Sequence, residues 1–258
     1  MRPVVASVPY LNAKPLIYRL AEDDGVELVF EVPSKLPAMI DTGQAAVAMA
    51  SSFDAIRTPG RKAVAGVSIS TMAQVESVRL FSKVPLKRIR TLALDQSSLT
   101  SNHLALILLA ELYGVEPKTR TLPPEIDGML GECDACVLIG DKGLTARHSE
   151  AIVLDLGSAW SELTGMPFVW ALWIGGPQLD RALADKLRDA RAWGIANMER
   201  VIPWASKETG FPIERCANYL TQTMDYDLTK SHLAGLGAYA EFLKKLGHVP
   251  RPEPLVLV

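Results

Sequence analysis

A repeated pattern constrains the fold of this chain more than any other feature of its sequence. Four times, a short apolar run leads into a small polar turn and then a helical segment, with the turns at residues 7–12, 50–52, 95–101 and 140–141. Apolar runs that alternate with helical segments are typical of α/β proteins with mostly parallel sheets. Because ligands of open α/β sheets bind beyond the carboxyl ends of the strands, these turns are predicted to converge on one cleft.

The fullest example of the pattern is residues 91–114, TLALDQSSLTSNHLALILLAELYG, in which Gly114 predicts the end of the helix. The first N–H groups of a helix have no internal partner and carry a partial positive charge. Hydroxyl side chains surround this helix start: Ser97, Ser98, Thr100 and Ser101. Together these donors are suited to a carboxylate or a phosphate. The alternative is an ordinary Ser/Thr cap of the helix.

Composition narrows the class of protein. The 258 residues, 48% of them hydrophobic, suit one large domain or two small ones. A net charge of −2 provides no general attraction for nucleic acid or for an anionic membrane, so neither is predicted as a partner. The odd number of cysteines, three, fits a reducing compartment. The first 20 residues contain no apolar segment of signal-peptide length, and the protein is predicted to be cytoplasmic.

Several other segments have a clear periodicity. Residues 75–82 alternate and predict a strand, whereas residues 180–201, 213–224 and 229–246 predict amphipathic helices. The polar, proline-broken residues 84–88 predict a crossover between lobes.

Five motifs occur in order along the chain: SVPYLN with PL two residues later from residue 7, ESVRLFS from 76, ALDQSSLTS from 93, LIGD from 138 and DLGSAWSELTGMPFVWALW from 155. In these motifs the chain resembles the chorismate dehydratase family, MqnA, of the futalosine route to menaquinone. The sister family, 1,4-dihydroxy-6-naphthoate synthase, has the same fold and a different amino-terminal motif. The Tyr-Leu-Asn turn followed by Pro-Leu favours the dehydratase.

The resemblance implies an α/β fold like that of the type II periplasmic binding proteins, with the ligand cleft between two lobes. One lobe is expected to comprise residues 1–86 and 178–258, and the other residues 87–177. The implied activity is the cofactor-free dehydration of chorismate to 3-[(1-carboxyvinyl)oxy]benzoate, with no metal. The resemblance implies that the protein binds a small-molecule substrate, chorismate. It leaves the oligomeric state open, and a homodimer is one option.

The resemblance and the chemistry together suggest roles for individual residues. Asn12 and Ser77 are expected to contact substrate, one for each carboxylate. Tyr10 and Ser52 are also expected to bind the substrate. The family usually has a Pro-Ser pair at the turn of Ser52, and in this chain Ser51 replaces that proline. The hydroxyls of Ser97, Ser98, Thr100 and Ser101 are expected to form the anion-binding turn.

The general base is less well defined by the sequence. Asp141, in the turn at residues 140–141 that is expected to face the cleft, is the candidate among the side chains of the protein. The second candidate is the enolpyruvyl carboxylate of the substrate itself, which lies close to C3.

Each assignment has a plainer structural alternative. Asn12 can cap a helix, Ser77 can be a surface residue of a strand, and Asp95 and Asp141 can be turn formers. Cys133 and Cys136 have the C-x2-C spacing of zinc and redox sites, but no second Cys/His pair accompanies them, so they are interpreted as structural.

A second class of function, a non-enzymatic binder of a small carboxylate, is compatible with the same fold, since fold does not determine function. Other chemistries have recognisable motifs that this sequence lacks. It contains no G-x-G-x-x-G, Walker A, H-E-x-x-H or G-x-S-x-G pattern, so no nucleotide, flavin or metal is predicted.

Overall fold

A computed structural model describes residues 2–258, which form two compact α/β units. The first unit comprises the chain up to Ser70 together with Val169–Lys230 and Glu253–Val258. The second unit comprises Thr71–Phe168 and Ser231–Pro252. Both units are therefore discontinuous in sequence.

The strands, in chain order, are β1 (Val4–Ser7), β2 (Glu27–Phe30), β3 (Val47–Ser51), β4 (Lys62–Thr71), β5 (Arg79–Ser82), β6 (Thr91–Asp95), β7 (Lys118–Leu122), β8 (Ala135–Leu138), β9 (Ile152–Asp155), β10 (Phe168–Gly175) and β11 (Val256–Leu257).

The α-helices are α1 (Lys14–Ala21), α2 (Leu36–Asp41), α3 (Ser52–Arg57), α4 (Thr100–Tyr113), α5 (Ile126–Glu132), α6 (Gly140–Thr145), α7 (Leu156–Thr164), α8 (Arg181–Ala196), α9 (Met198–Thr209), α10 (Ile213–Asn218) and α11 (Lys230–Lys245). Single turns of 3₁₀-helix cover Leu11–Ala13 and Leu86–Arg88, and a π-helical turn covers Tyr219–Thr223. Among residues 2–258, no helix is both long enough and apolar enough to cross a membrane.

The sheet of the first unit has the strand order β11-β4-β10-β3-β1-β2. β1 is parallel to both β2 and β3, whereas β10 is antiparallel to β3. All five residues of β3 are buried, which places this strand in the core of the unit. The carboxyl ends of β1 and β3 therefore lie at one edge of the sheet, and the turns at residues 7–12 and 50–52 follow there.

The sheet of the second unit has the strand order β7-β6-β8-β5-β9. β6 is parallel to β7 and β8, and β5 is antiparallel to β8 and β9. The prediction of an α/β protein with mostly parallel sheets is confirmed, with β5 and β10 as antiparallel members. Because β6 and β8 are parallel neighbours, the turns at residues 95–101 and 140–141 follow the same sheet edge.

The division of the chain differs from the expected bounds of 1–86 plus 178–258 and 87–177. β5 belongs to the second unit because it lies between β8 and β9 in that sheet. Much of the carboxyl-terminal helix α11 also belongs there. Its Tyr239 hydroxyl donates to the Thr100 carbonyl oxygen at 3.0 Å, and its ring lies edge-to-face against Phe168.

Two predicted elements are corrected by the structure. The strand predicted for residues 75–82 is limited to β5, because the N–H groups of Val75 and Glu76 bond to the side chain of Asp155 instead of to a neighbouring strand. The single helix predicted for residues 180–201 is interrupted at Asn197, which has φ −126° and ψ 41°. The predicted end of α4 at Gly114 is confirmed, with φ +68°.

We expect the packing of α1 against α8 to depend on Gly194. A Cβ atom at this position would overlap the carbonyl oxygen of Pro15 on the facing helix. Overpacking of this kind typically costs about 1–3 kcal/mol, so Gly194→Ala should lower the free energy of unfolding by that amount in urea titrations. The matched control is Gly237→Ala on α11, where a Cβ meets nothing within 4 Å. Equal stabilities of the two variants would contradict the prediction.

Candidate functional site

In the first unit, the site begins at the carboxyl end of β1. After Ser7 the chain turns through the 3₁₀-helix that contains Asn12, and α1 follows with Pro15 in its first turn. The side chain of Asn12 caps neither helix, because the cap positions are Tyr10 for the 3₁₀-helix and Ala13 for α1. The Oδ1 atom of Asn12 is buried and has no hydrogen-bond partner within residues 2–258. Buried polar atoms are normally hydrogen-bonded, so this oxygen is a candidate ligand contact.

The other first-unit residues are placed as follows. Tyr10 is half-buried at the cap of the 3₁₀-helix. Ser52 is fully buried in the first turn of α3, and its hydroxyl donates to the Val169 carbonyl oxygen at 2.7 Å. Ser51 precedes it with φ −51°, a value that proline's ring also allows.

Sequence reasoning missed Lys14, which follows Asn12 by two residues and has a buried side chain. Only 4% of the residue is exposed, and its Nζ lies 4.8 Å from the centroid of the Trp204 ring. Lysine is rarely buried to this extent. A buried lysine at this turn is therefore unusual. The only sequence feature that could have indicated it is a lysine next to a proline.

In the second unit, Ser77 lies in the loop before β5. Only 2% of the residue is exposed, so it is not the surface residue that the alternative interpretation required. The preceding residue, Glu76, has φ +59°, which is uncommon for any residue except glycine. The N–H of Ser77 donates to the Val75 carbonyl oxygen at 2.6 Å, which closes a tight turn.

The polar turn after β6 is organised around Asp95. One carboxylate oxygen, Oδ1, accepts from the N–H of Ser97 at 2.9 Å and from its hydroxyl at 2.5 Å, and Oδ2 accepts from the N–H of Ile139 at 3.3 Å. The interpretation of Asp95 as a turn former is therefore confirmed. The hydroxyl proton of Ser97 is directed to Asp95, which leaves it unavailable to an external anion.

The start of α4 keeps other donors available. The helix cap is Leu99, which makes no side-chain hydrogen bond, so the structure does not show the ordinary Ser/Thr cap. Ser98 and Ser101 are each 5% exposed, and their hydroxyls make no hydrogen bond to another of the described residues. Asn102, which sequence reasoning missed, holds the turn by donating its Nδ2 to the carbonyl oxygens of Asp95 and Ser98 at 2.9 and 3.0 Å. Thr100 is buried beside them.

Asp141 lies in the first turn of α6 and is half-buried. Its carbonyl oxygen accepts from the Thr145 hydroxyl at 2.9 Å, a contact within the helix. Asp141 therefore follows the carboxyl end of β8 and comes directly after Gly140, which has φ +58°. The role of Asp141 in chemistry stays a prediction.

The pair Cys133 and Cys136 lies in the core of the second unit. Both thiols belong to a buried apolar cluster that includes Phe81, Ala93 and Leu138. Burial raises the pKa of the Cys136 thiol to about 12, so this thiol stays protonated near neutral pH. Within residues 2–258, no group of three or more His, Cys, Asp or Glu side chains is arranged to hold a metal ion.

As a whole, the described site residues supply mainly neutral hydrogen-bond donors on turns that follow buried strands. Such donors bind carboxylates and can stabilise negative charge that develops on them. Within the first unit, the structure places Asn12 on the turn after β1 and Ser52 on the turn after β3, which is a parallel neighbour of β1. Within the second unit, Ile139, at the end of β8, bonds to Asp95, so the turn before Asp141 is joined to the turn before α4.

The chain is similar to a known family and to a curated protein along most of its length. A family model described as menaquinone biosynthesis matches residues 3–245. A curated chorismate dehydratase of Thermus thermophilus is 28% identical over 264 aligned residues, which cover 94% of this chain and 96% of the relative.

Solved structures show the same fold at low sequence identity. A crystal structure of a protein from Archaeoglobus fulgidus has a TM-score of 0.77 at 21% identity, covering 95% of this chain and 98% of that one. The periplasmic aliphatic sulphonate binding protein SsuA of Escherichia coli has a TM-score of 0.64 at 15% identity, covering 99% and 93%. A Candida albicans protein described as having the generic periplasmic binding protein fold has a TM-score of 0.60 at 12% identity, covering 96% and 95%. The expected periplasmic-binding-protein-like fold is confirmed.

The buried carboxyl group of Asp95 should make stability depend on pH. Burial raises its pKa above the ordinary value of 3.8, against the lowering effect of its hydrogen bonds from Ser97 and Ile139. The folded protein then binds more protons than the unfolded chain between the two pKa values, so this contribution to stability is complete below the unfolded pKa and is lost as the pH rises through the folded pKa. We expect the free energy of unfolding of the wild type to fall, relative to that of Asp95→Asn, as the pH rises from about 4.

The measurement is a series of urea titrations at increasing pH, starting near the ordinary pKa of an aspartate side chain. Asp127→Asn, at an exposed position of α5, controls for the loss of one negative charge. A constant difference between wild type and Asp95→Asn across the series would contradict the prediction.

Proposed function

Because the chain belongs to the menaquinone-biosynthesis family, we propose that it dehydrates chorismate to 3-[(1-carboxyvinyl)oxy]benzoate, as a cytoplasmic lyase of the futalosine route. The observation that carries this proposal is the similarity to a chorismate dehydratase across 94% of this chain and 96% of the relative. The available donors also fit the substrate, which has two carboxylates. The reaction is redox-neutral and needs no cofactor.

The chemistry defines what the protein has to supply. Dehydration removes the proton at C3 and the hydroxyl at C4 and leaves an aromatic ring. The C3–H bond is acidified because its electrons can delocalise through the ring double bond into the C1 carboxylate. Negative charge therefore develops on that carboxylate, and fixed donors beside it lower the barrier, typically by about 3 kcal/mol for one donor. Both carboxylates also have to be held so that the ring is oriented.

We assign Asn12 of the first unit to two contacts. Its amide nitrogen can donate to a carboxylate. Its buried Oδ1 has no partner among residues 2–258 and requires a donor, and the only donor of the chorismate dianion is the C4 hydroxyl. Accepting that hydrogen bond would orient the leaving group while the carboxylate contact orients the ring. Tyr10 and Ser52 complete the first-unit binding set in this proposal.

We assign the other carboxylate to donors of the second unit. Ser77 supplies one hydroxyl, and the start of α4 supplies the hydroxyls of Ser98, Thr100 and Ser101. The N–H groups of the first helical turn add to these donors, and the positive end of the helix favours an anion. In this assignment Ser97 acts indirectly, since its hydroxyl holds Asp95.

The proton acceptor is proposed to be the enolpyruvyl carboxylate of the substrate, which then passes the proton to the departing C4 hydroxyl, so that water leaves and the carboxylate is restored. This carboxylate is linked to C3 through the ether oxygen, so one of its oxygens reaches the C3 hydrogen through a six-membered ring of atoms. No protein group then has to enter between the substrate and its own proton. Asp141 is the competing candidate, as the carboxylate in the turn after β8.

The direct test is incubation of the purified protein with chorismate, followed by ultraviolet absorption and mass spectrometry. We expect loss of chorismate and a product one water lighter. Saturable binding of chorismate without turnover would instead indicate a non-enzymatic binder. Absence of both binding and turnover would reject chorismate as the substrate.

Loss of the Asn12 amide should be costly for catalysis. We expect Asn12→Ala to lower kcat/KM by about 10²–10³-fold, because it removes a carboxylate contact that orients the ring and the acceptor for the leaving hydroxyl. The control is Asn218→Ala at an exposed position of α10 in the same unit, which should keep wild-type kinetics. A folded Asn12→Ala enzyme with kcat/KM within twofold of wild type would refute the assignment.

The identity of the base is tested by Asp141→Asn, which keeps the shape of the side chain and removes its basicity. If the substrate supplies its own base, kcat should stay within about tenfold of wild type, since general-base catalysis by a side chain is typically worth 10²–10⁴-fold. A loss in that larger range, with unchanged thermal stability, would assign the base to Asp141.

A further inference from the structure

The loop that carries Ser77 adopts a backbone conformation that its own sequence disfavours. Glu76 has φ +59°, and it is the only residue other than glycine with a positive φ between residues 2 and 258. A residue with a side chain is strained in this region, and such strain persists only where the surroundings enforce it. The turn is also tight, because the N–H of Ser77 donates back to the Val75 carbonyl oxygen.

The carboxylate of Asp155 binds the backbone of this turn. Its Oδ2 accepts from the N–H of Glu76 at 2.7 Å, and its two oxygens lie 3.1 and 3.3 Å from the N of Val75. The same side chain caps α7, because Oδ1 accepts from the N–H of Ser158 at 2.9 Å. One carboxylate therefore joins the turn to the amino end of a helix in the same unit. A helix cap needs only the bond from Ser158, so the bonds from Val75 and Glu76 are additional to capping.

The backbone on both sides of the turn is also closely packed. A Cβ atom on Gly157, in the first turn of α7, would overlap the carbonyl oxygen of Ala73. A Cβ atom on Gly143, in α6, would overlap the carbonyl oxygen of Ser77 itself. Arg79 strengthens this second contact by donating its Nε to the Gly143 carbonyl oxygen at 2.8 Å. The turn is held between two helices, with Asp155 as its polar attachment.

We propose that Asp155 is a positioning residue for the dehydration, whose carboxylate fixes the strained turn at Glu76 and so places the hydroxyl of Ser77 against a substrate carboxylate. The proposal rests on the proposed function for its substrate. Asp155 does not touch the substrate in this scheme. It acts through Ser77, so its effect on catalysis should disappear when the Ser77 hydroxyl is absent.

The experiment uses Asp155→Ser in the full-length protein. Serine is a good helix cap, so it keeps the contact to α7, but it is too short to hold the turn as well. Asp180 provides the matched control. It caps α8 in the first unit by accepting from the N–H of Leu183 at 2.8 Å, and among residues 2–258 its side chain accepts from no other backbone N–H. The same change, Asp180→Ser, therefore reports the effect of altering a cap.

Two readouts are expected to separate these variants. Asp155→Ser should lower kcat/KM for chorismate by at least tenfold, whereas Asp180→Ser should leave it within twofold of wild type. In the Ser77→Ala background, adding Asp155→Ser should change kcat/KM by less than twofold. Independently of activity, amide hydrogen exchange measured by mass spectrometry should increase in a peptide covering residues 74–78 of Asp155→Ser and stay unchanged there in Asp180→Ser.

Other outcomes would overturn the proposal. If exchange in residues 74–78 is unchanged in Asp155→Ser, the carboxylate does not fix the turn. If the loss of kcat/KM is as large in the Ser77→Ala background as in the wild type, Asp155 acts by another route. A wild-type protein that does not turn over chorismate would refute the proposed function and with it the catalytic role of Asp155, while the exchange experiment would still decide whether Asp155 holds the turn.

Discussion

The hydrogen bonds that two aspartates accept from backbone N–H groups determine the geometry of the second unit's turns. Asp95 accepts from Ser97 and Ile139, and so joins the turn after β6 to the end of β8. Asp155 accepts from Val75, Glu76 and Ser158, and so joins the Ser77 turn to α7. Backbone N–H groups in a buried turn need acceptors, and a carboxylate can satisfy several of them at once. The serine hydroxyls are held on turns that these two side chains fix.

Much of this architecture follows from local sequence. β1 and β3 are short apolar runs, Pro15 is tolerated in the first turn of α1, which begins at Lys14, and Gly114 ends α4 with the left-handed backbone that glycine allows. These features depend on neighbouring residues in the chain, which is why periodicity and turn residues predict them. The family resemblance, carried by five ordered motifs, added the fold and the substrate class.

What the sequence does not reveal depends on contacts between distant residues. The alternation of residues 75–82 predicts a strand, but Asp155, about 80 residues later in the chain, binds the N–H groups that such a strand would have used. The unit bounds likewise depend on the pairing of β5 with β8 and β9. The commitment of the Ser97 hydroxyl to Asp95 and the absence of a partner for Asn12 Oδ1 within residues 2–258 are visible only from side-chain positions. Composition and spacing contain no direct signal for either.

The neutral character of the proposed contacts has a mechanistic consequence. An arginine clamp would bind both carboxylates of chorismate strongly in the ground state, and binding that is equal in ground and transition states does not raise kcat. A fixed hydroxyl or amide donor binds a delocalised carboxylate modestly, but its hydrogen bond strengthens as C3 loses its proton and charge accumulates on the C1 carboxylate. Such a gain requires the donor to be held in place before the reaction, because a mobile hydroxyl would have to be ordered at the moment of charge development. A strained turn fixed by a carboxylate meets that requirement, which is why the backbone of Glu76 and the hydroxyl of Ser77 are best understood together.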